Sequence, residues 1–152
     1  MKKDCQFVSN ADAEPHMHLA YFGSELDCSI CNPQCKGHSH SFYGYFINCG
    51  EPGCGIRPVR IQRQRTKGWK LPSNTRCVNR PLKYANPFKL GDRMPDGVIL
   101  TRENFKPYYR TWLLLNYSIE EIQHDCKGRN IACFCGNGLE CHGDVVLEVA
   151  NP

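Results

Sequence analysis

Alternation of apolar and polar residues marks the first clear element of the chain. Residues 59–63, Val-Arg-Ile-Gln-Arg, alternate with a period of two, which predicts a half-buried β-strand. Further short strands are predicted at 75–79, at 130–135, where the strand is buried, and in the aromatic run at 42–47. Frequent proline and glycine keep residues 80–97 in loops.

The last third of the chain has the pattern of helices. Tyr109, Trp112, Leu113 and nearby Leu115 supply an apolar helical face. Pro107 predicts that this helix begins close to it, because proline is tolerated only in a first helical turn.

Two more helices follow. Ser118 and Glu121 form a Ser-x-x-Glu capping box, which predicts a short helix that ends at Gly128. The final helix is predicted to start near Cys141 and carries the apolar run that includes Val145 and Val146. This order of elements predicts an α/β (or α+β) fold, a small compact sheet with flanking helices.

The 152 residues divide by composition into two predicted domains. Residues 1–56 form a lead-in and a Cys/His-rich zinc module, and residues 57–152 form the α/β domain. No segment resembles a signal peptide, and none approaches the ~18 apolar residues needed to cross a bilayer. We therefore predict a cytoplasmic protein with no membrane association.

Eleven cysteines are too many to be background in a chain of this length. The count is odd and several cysteines occur in close pairs with histidines nearby, which favours metal ligation by reduced thiols over disulfides. Cys28-x2-Cys31 and Cys49-x4-Cys54 have the layout of a zinc ribbon or treble clef, in which two tight turns direct four thiolates at one Zn²⁺. Three residues of the intervening loop replace one ligand, contribute to a second site with His16 or His18, or are merely exposed: Cys35, His38 and His40.

A long basic segment separates this module from the rest of the chain. No acidic residue occurs between Glu51 and Asp92, whereas ten basic residues do. Guanidinium groups match phosphate oxygens, and an indole can stack on a base, so the segment predicts a phosphate-binding surface rather than a merely solvated one. The candidate ligand-binding residues are Arg60, Arg63, Arg65, Lys67, Trp69, Lys70, Arg80, Lys83 and Asn86.

The C-terminal motif Cys-x-Cys-x5-Cys-His-Gly-Asp lies between a predicted strand and a predicted helix. The candidate catalytic residues of this motif are Cys135, Cys141, His142 and Asp144. The helix start should lower the pKa of Cys141 and make it the most reactive thiol. Cys133 is interpreted as core packing, and the spacing leaves open whether the motif binds metal.

Three segments resemble the domain of unknown function (DUF) family 4326, which occurs in bacteria and their phages. They are residues 60–72, residues 79–88 and the pair 130–135 with 141–147, so that the resemblance covers about 57–151. The family usually has Gly-Arg-Pro where this chain has Asn-Arg-Pro, and tryptophan in place of Tyr84 and Phe134. The resemblance implies a compact α/β domain with a shared site near the Asn-Pro-Phe and Cys-His motifs, and it implies no activity.

The sequence is compatible with three functions. The first is a zinc-binding protein that interacts with nucleic acid or a nucleotide. The second is an enzyme acting on a nucleobase, nucleotide or sugar-phosphate, in which Cys141 or Cys135 is the nucleophile or a metal ligand, His142 the acid/base, and Asn86 and Arg80 bind substrate. The third is a small adaptor that binds a host protein, a role that a phage origin would fit.

Overall fold

The computed structural model describes residues 41–42, 45–48, 50, 57–136 and 138–152. Within these residues the strands are β1 (Ser41–Phe42), β2 (Tyr45–Phe46), β3 (Arg60–Gln62), β4 (Thr75–Cys77) and β5 (Asn130–Cys133). The helices are α1 (Phe105–Asn116), α2 (Ile119–Cys126) and α3 (His142–Ala150). The predicted α/β class is confirmed.

The main sheet is parallel, with three strands in the order β3-β5-β4. β3 pairs with β5 so that Ile61 lies opposite Ala132. The backbone N–H of Arg63 donates to the carbonyl of Cys133 (2.7 Å), which extends this ladder one residue past β3. β5 is central and all of its residues are buried, as the sequence predicts for its apolar run.

The aromatic run at 42–47 forms two short strands instead of the single one predicted. β1 and β2 pair antiparallel, with Ser41 opposite Phe46 and Phe42 opposite Tyr45. Antiparallel pairing requires the chain to reverse between them, and strand propensity alone carries no information about such a reversal.

The chain forms two compact units. The first comprises Met1–Val59, Leu71–Thr75 and Gly128–Asn130, and the second comprises Arg60–Lys70, Arg76–Lys127 and Ile131–Pro152. Within the described residues, no helix combines the length and the apolar character needed to cross a bilayer.

The first unit contains a buried asparagine network. The Asn130 side-chain oxygen accepts hydrogen bonds from the backbone N–H groups of Asn48 (3.2 Å) and Val59 (3.1 Å). Its amide nitrogen donates to the carbonyl of Asn48 (2.8 Å). Asn74 donates to the carbonyl of Gly128 (2.8 Å) and to the side chain of Asn48 (3.0 Å). Buried amides of this kind are tolerated because nearly all of their polar atoms have partners.

The second unit is built around the apolar faces of its three helices, where α2 and α1 both pack against α3. Tyr109 and Leu113 of α1 are fully buried, as predicted, but Leu115 is 81% exposed. α1 begins at Phe105, so that Pro107 occupies the first turn, where its missing N–H breaks no helical hydrogen bond. Ser118 caps α2 by accepting from the backbone N–H of Glu121 (3.1 Å), as the capping signature predicts.

An ion-pair cluster holds the loop that precedes α1 against α2. The carboxylate of Asp125 accepts from Lys83 Nζ (2.8 Å) and from the Tyr84 hydroxyl (2.9 Å). Tyr84 itself is fully buried, and its carbonyl accepts from the Tyr109 hydroxyl (2.6 Å). These bonds lower the pKa of Asp125, with Lys83 the largest cause and Tyr84 the next.

This cluster predicts a pH-dependent part of the stability. Because the folded pKa of Asp125 lies below its unfolded value of about 3.9, its contribution is present above about pH 4 and is lost as the pH falls further. We expect Asp125→Asn to lower the free energy of unfolding at pH 7, and the deficit to shrink towards pH 2. Urea unfolding at several pH values measures this. Glu120→Gln, an exposed change on the same helix, is the control, and an equal deficit at pH 7 and pH 2 would contradict the prediction.

Candidate metal centre

Four side chains converge in the second unit, where the central strand ends and the last helix starts. Cys133 is the last residue of β5, Cys135 follows two residues later, Cys141 is the N-cap of α3 and His142 is its first residue. One ligand atom from each lies within 4.8 Å of the others. Three thiols and one imidazole so placed could hold a metal ion.

Two of the measured separations fit a tetrahedral ion closely. The sulfurs of Cys133 and Cys135 are 3.6 Å apart, and Cys141 Sγ lies 3.8 Å from His142 Nδ1. A zinc–sulfur bond of about 2.3 Å places the corners of a tetrahedron about 3.8 Å apart. The donor set and its spacing therefore suit a four-coordinate cation that favours sulfur and nitrogen ligands.

The orientation of His142 leaves its Nδ1 atom available for metal binding. His142 Nε2 lies 2.8 Å from the carbonyl oxygen of Val78. A carbonyl can only accept, so Nε2 is the donor in this contact, and Nδ1, on the side of Cys141, is the ring nitrogen that could bind a metal. The ring also makes an edge contact with Tyr109, with centroids 5.3 Å apart. A backbone carbonyl commonly orients a metal-binding histidine in this way.

Cys141 and Asp144 together cap the last helix. Cys141 Sγ accepts from the backbone N–H of Gly143 (3.3 Å), and the Asp144 carboxylate accepts from the backbone N–H of Cys141 (3.1 Å). This reciprocal capping box fixes the sulfur at the helix N-terminus, where the sequence placed it.

Arg60 connects this cap to the cysteine loop. Its Nε donates to Asp144 (2.8 Å), and its Nη atoms donate to the carbonyls of Cys135 (3.2 Å) and Leu139 (3.0 Å). The Arg60 side chain is only 12% exposed. Arg60 therefore holds in place the segments that carry the sulfurs, and Asp144 acts through Arg60 and Cys141.

Gly143 permits the close approach of these segments. A methyl group at this position would lie 3.2 Å from Cγ2 of Ile131 and 3.4 Å from Cδ of Arg60. The first of these spacings is tighter than an ordinary van der Waals contact, so Ile131 would have to move by a few tenths of an ångström to admit a side chain. Gly143 therefore favours the present packing of Ile131 against the start of α3.

The sulfurs share hydrogen bonds, and this separates the pKa values of their thiols. The pKa of Cys135 falls because the thiols of Cys133 and Cys141 donate to its sulfur, with His142 nearby. The pKa of Cys141 rises because of its bonds to the other two sulfurs and because of burial. The helix start was expected to make Cys141 the most acidic of these thiols. In the structure, its burial and its neighbours outweigh the helix effect.

The comparisons with known proteins bear on this same region. The family model described as Domain of unknown function (DUF4326) matches residues 61–152, which is more than half of the chain. The chain belongs to the DUF4326 family. No curated protein and no solved structure matches it. All four members of the candidate centre lie inside the DUF4326 domain.

Residues of the Asn-Pro-Phe and Cys-His motifs line one cavity of this domain. Asn86, Phe88, Cys135 and His142 all line one cavity of about 120 Å³. A wider groove of about 820 Å³ runs beside α1, with Trp112 among its lining residues, but it contains none of the four candidate ligands. Phe88 borders both.

The candidate ligand-binding residues of the basic segment make different contacts in the structure. Arg80 donates to the carbonyls of Asn86 (2.9 Å) and Phe88 (2.8 Å), and Lys83 belongs to the Asp125 cluster. Arg63 and Arg65 each place their guanidinium carbon 4.8 Å from the ring centre of Phe134.

The remaining basic candidates lie on the loop that follows β3. Lys67 and Lys70 are exposed there, and Trp69 is half-buried. The predicted N-terminal ligands and their alternates lie outside the described residues: Cys28, Cys31, Cys49, Cys54, Cys35, His38 and His40.

Sequence reasoning missed two features of this region. Cys133 is buried, as expected of a packing residue, yet its sulfur also joins the cluster. The signal was the Cys-x-Cys spacing, which resembles the tight cysteine pairs of the N-terminal module. Arg102 and Phe105, which line the cavity, belong to no motif and carried no signal.

Asp144 offers a test of the positioning role. We expect Asp144→Asn to weaken metal binding about 10- to 100-fold, because it removes the negative charge that Arg60 contacts while the side-chain shape remains. Competition with a chromophoric chelator measures the affinity. Glu148→Gln is the matched control, since Glu148 lies one turn further along α3 and pairs with Arg110 on the surface. Equal affinities of the two variants would refute the role.

Proposed function

We propose that this chain is a zinc-binding protein whose DUF4326 domain holds one structural Zn²⁺ and presents a basic, aromatic surface to nucleic acid or a nucleotide. The observation that carries the proposal is the position of Phe134. It lies between the candidate ligands Cys133 and Cys135 and contacts both Arg63 and Arg65. Phe134 therefore connects the end of β5, which carries two candidate metal ligands, to the basic residues that follow β3.

The donor set favours Zn²⁺ in a structural role. Three sulfurs and one imidazole nitrogen are the ligands of closed tetrahedral zinc sites, whereas catalytic zinc keeps one position for water or substrate. When bound, the ion would join the end of β5 to the start of α3. Binding also requires the loss of the thiol protons, and the lowered pKa of Cys135 assists the first of these.

The zinc content of the purified protein tests the proposed metal centre. We expect His142→Ala to bind one Zn²⁺ fewer per chain than the unmodified protein, and His142→Cys to retain it, because four cysteines also form a tetrahedral zinc site. Elemental analysis of the purified full-length chain measures the ratio. It should be near two for the unmodified protein if the predicted N-terminal module also binds zinc.

A second cysteine variant distinguishes the loss of a metal ligand from a general effect of substituting a cysteine. Cys77 is a free thiol on β4 outside the cluster, so Cys77→Ser should leave the metal content unchanged, whereas Cys141→Ser should lower it by one. Equal zinc content in all of these variants would reject the centre.

The ligand surface is supported by charge and by an exposed ring. Phe134 is 36% exposed, and Arg65 is exposed beside it. Guanidinium groups attract phosphates, and flat rings and guanidinium planes stack on bases. With Lys67 and Lys70 exposed on the same loop, this part of the domain has the chemistry of a non-specific nucleic-acid contact.

Salt dependence tests the surface. We expect the double variant Lys67→Gln/Lys70→Gln to weaken binding to a single-stranded oligonucleotide and to reduce the slope of log K against log salt by about 1.4, because two phosphate contacts are lost. Fluorescence anisotropy measures both quantities. Lys127→Gln/Arg129→Gln removes the same charge elsewhere on the exposed surface and should change neither. Absence of any salt-dependent binding by the unmodified protein would refute this part of the proposal.

The enzyme hypothesis requires Cys135, Cys141 and His142 to react with a substrate, whereas the proposed centre requires them to bind the metal. If Cys135, Cys141 and His142 hold the metal, their lone pairs are not available for nucleophilic or acid/base chemistry. The adaptor hypothesis gains a candidate surface in the groove beside α1, and a protein partner remains a prediction of the sequence alone.

A further inference from the structure

A small cavity lies directly beside the metal centre. Its volume is about 120 Å³, and two of the candidate metal ligands, Cys135 and His142, form part of its wall. Neither the metal-binding role nor the surface around Phe134 requires a cavity at this place. It is therefore a feature that the proposed function leaves unexplained.

Buried side chains form part of the lining of this cavity. Leu100, Phe105 and His142 all line it and are 2%, 5% and 7% exposed. Phe88 completes the wall from the loop that precedes α1. Aromatic and aliphatic groups in this arrangement favour a planar ring over a flexible polar chain.

The rim supplies hydrogen-bond donors and positive charge. Lys89 and Arg102 both line the opening. Asn86 uses its side-chain oxygen to accept from the backbone N–H of Phe88 (2.9 Å), which leaves its amide N–H groups as donors for the cavity. Among the described residues that line the cavity, the one carboxylate belongs to Glu140, and it pairs with Lys106. A ligand that enters here would meet donors and cations at the mouth and apolar groups inside.

The volume limits what can enter. Cavities that hold drug-sized molecules measure about 300 to 1,000 Å³, so a cavity of about 120 Å³ accommodates one ring system and not a whole nucleotide. An anionic group attached to that ring would remain outside, near Lys89 and Arg102. A planar ring that carries a phosphate on a short linker has this shape and charge.

We propose that this cavity binds the base of a mononucleotide, with its phosphate held at the rim by Lys89 and Arg102. The inference rests on the proposed function, since it takes a nucleotide as the ligand, but it places that ligand at a site separate from the Lys67 and Lys70 loop. A base within an oligonucleotide could enter only after it had left its stack, and this cost of unstacking makes the free mononucleotide the better ligand.

Isothermal titration calorimetry on the full-length, metal-loaded chain tests the proposal. The probes are a purine and a pyrimidine nucleoside 5′-monophosphate, the matching nucleosides, and inorganic phosphate. We expect a monophosphate to bind more tightly than its nucleoside and than phosphate alone. Arg102→Gln should weaken the monophosphate at least about tenfold, because a charge-assisted hydrogen bond is lost, and should leave the nucleoside almost unchanged. Lys127→Gln is the exposed control and should have no effect.

A second measurement distinguishes the cavity from surface binding. In protein labelled with ¹⁵N-histidine, the ring signals of His142, assigned with His142→Cys, should shift on addition of the monophosphate. Unshifted signals, or equal binding by Arg102→Gln and the unmodified chain, would overturn the cavity site. If oligonucleotide binding through Lys67 and Lys70 persisted in that case, only this inference would fail. If neither ligand bound, the proposed function would fail with it.

Discussion

The contact between Arg60 and Asp144 joins the three segments on which the candidate centre depends. Arg60 comes from β3, Asp144 from the first turn of α3, and the carbonyls that Arg60 also contacts belong to the loop that carries Cys135. Because one largely buried arginine side chain makes all of these contacts, a shift of any one segment would disturb the other two. The Arg60–Asp144 ion pair therefore helps to fix the positions of the sulfurs.

The hydrogen bond from His142 to the carbonyl of Val78 has a comparable role on the other side of β5. It selects the tautomer in which Nδ1 is free to coordinate, and it ties the first residue of α3 to the residue that follows β4. β3, β5 and the end of β4 thus each contribute a contact to the first turn of α3. This is the junction at the carboxyl ends of parallel strands, where α/β folds commonly place their functional groups.

The sequence predicted the elements of the DUF4326 domain well and predicted the roles of its residues less well. The strands at β3, β4 and β5 and the three helices were predicted within a few residues, because alternation, capping residues and proline are local signals. Leu115 was assigned to the apolar face of α1, yet it is exposed. The helical periodicity of apolar residues does not by itself tell which residues of a broad apolar face contact the core. Arg60 was predicted to bind phosphate, and the structure instead engages it with protein acceptors, which no local pattern specifies.

What the sequence determined by itself is the chemical inventory: cysteines and histidine at short spacing, a segment without acids, and the motifs that identify the family. What only the tertiary structure decided is which of these groups meet. Cys133 and Cys135 are near each other in any extended strand, but Cys141 and His142 come close to them only because α3 packs on the sheet. The cavity beside them draws on residues from 86 to 142. Distances between segments far apart in the chain depend on how the helices pack around β5, and packing is a property of the whole fold rather than of any local pattern.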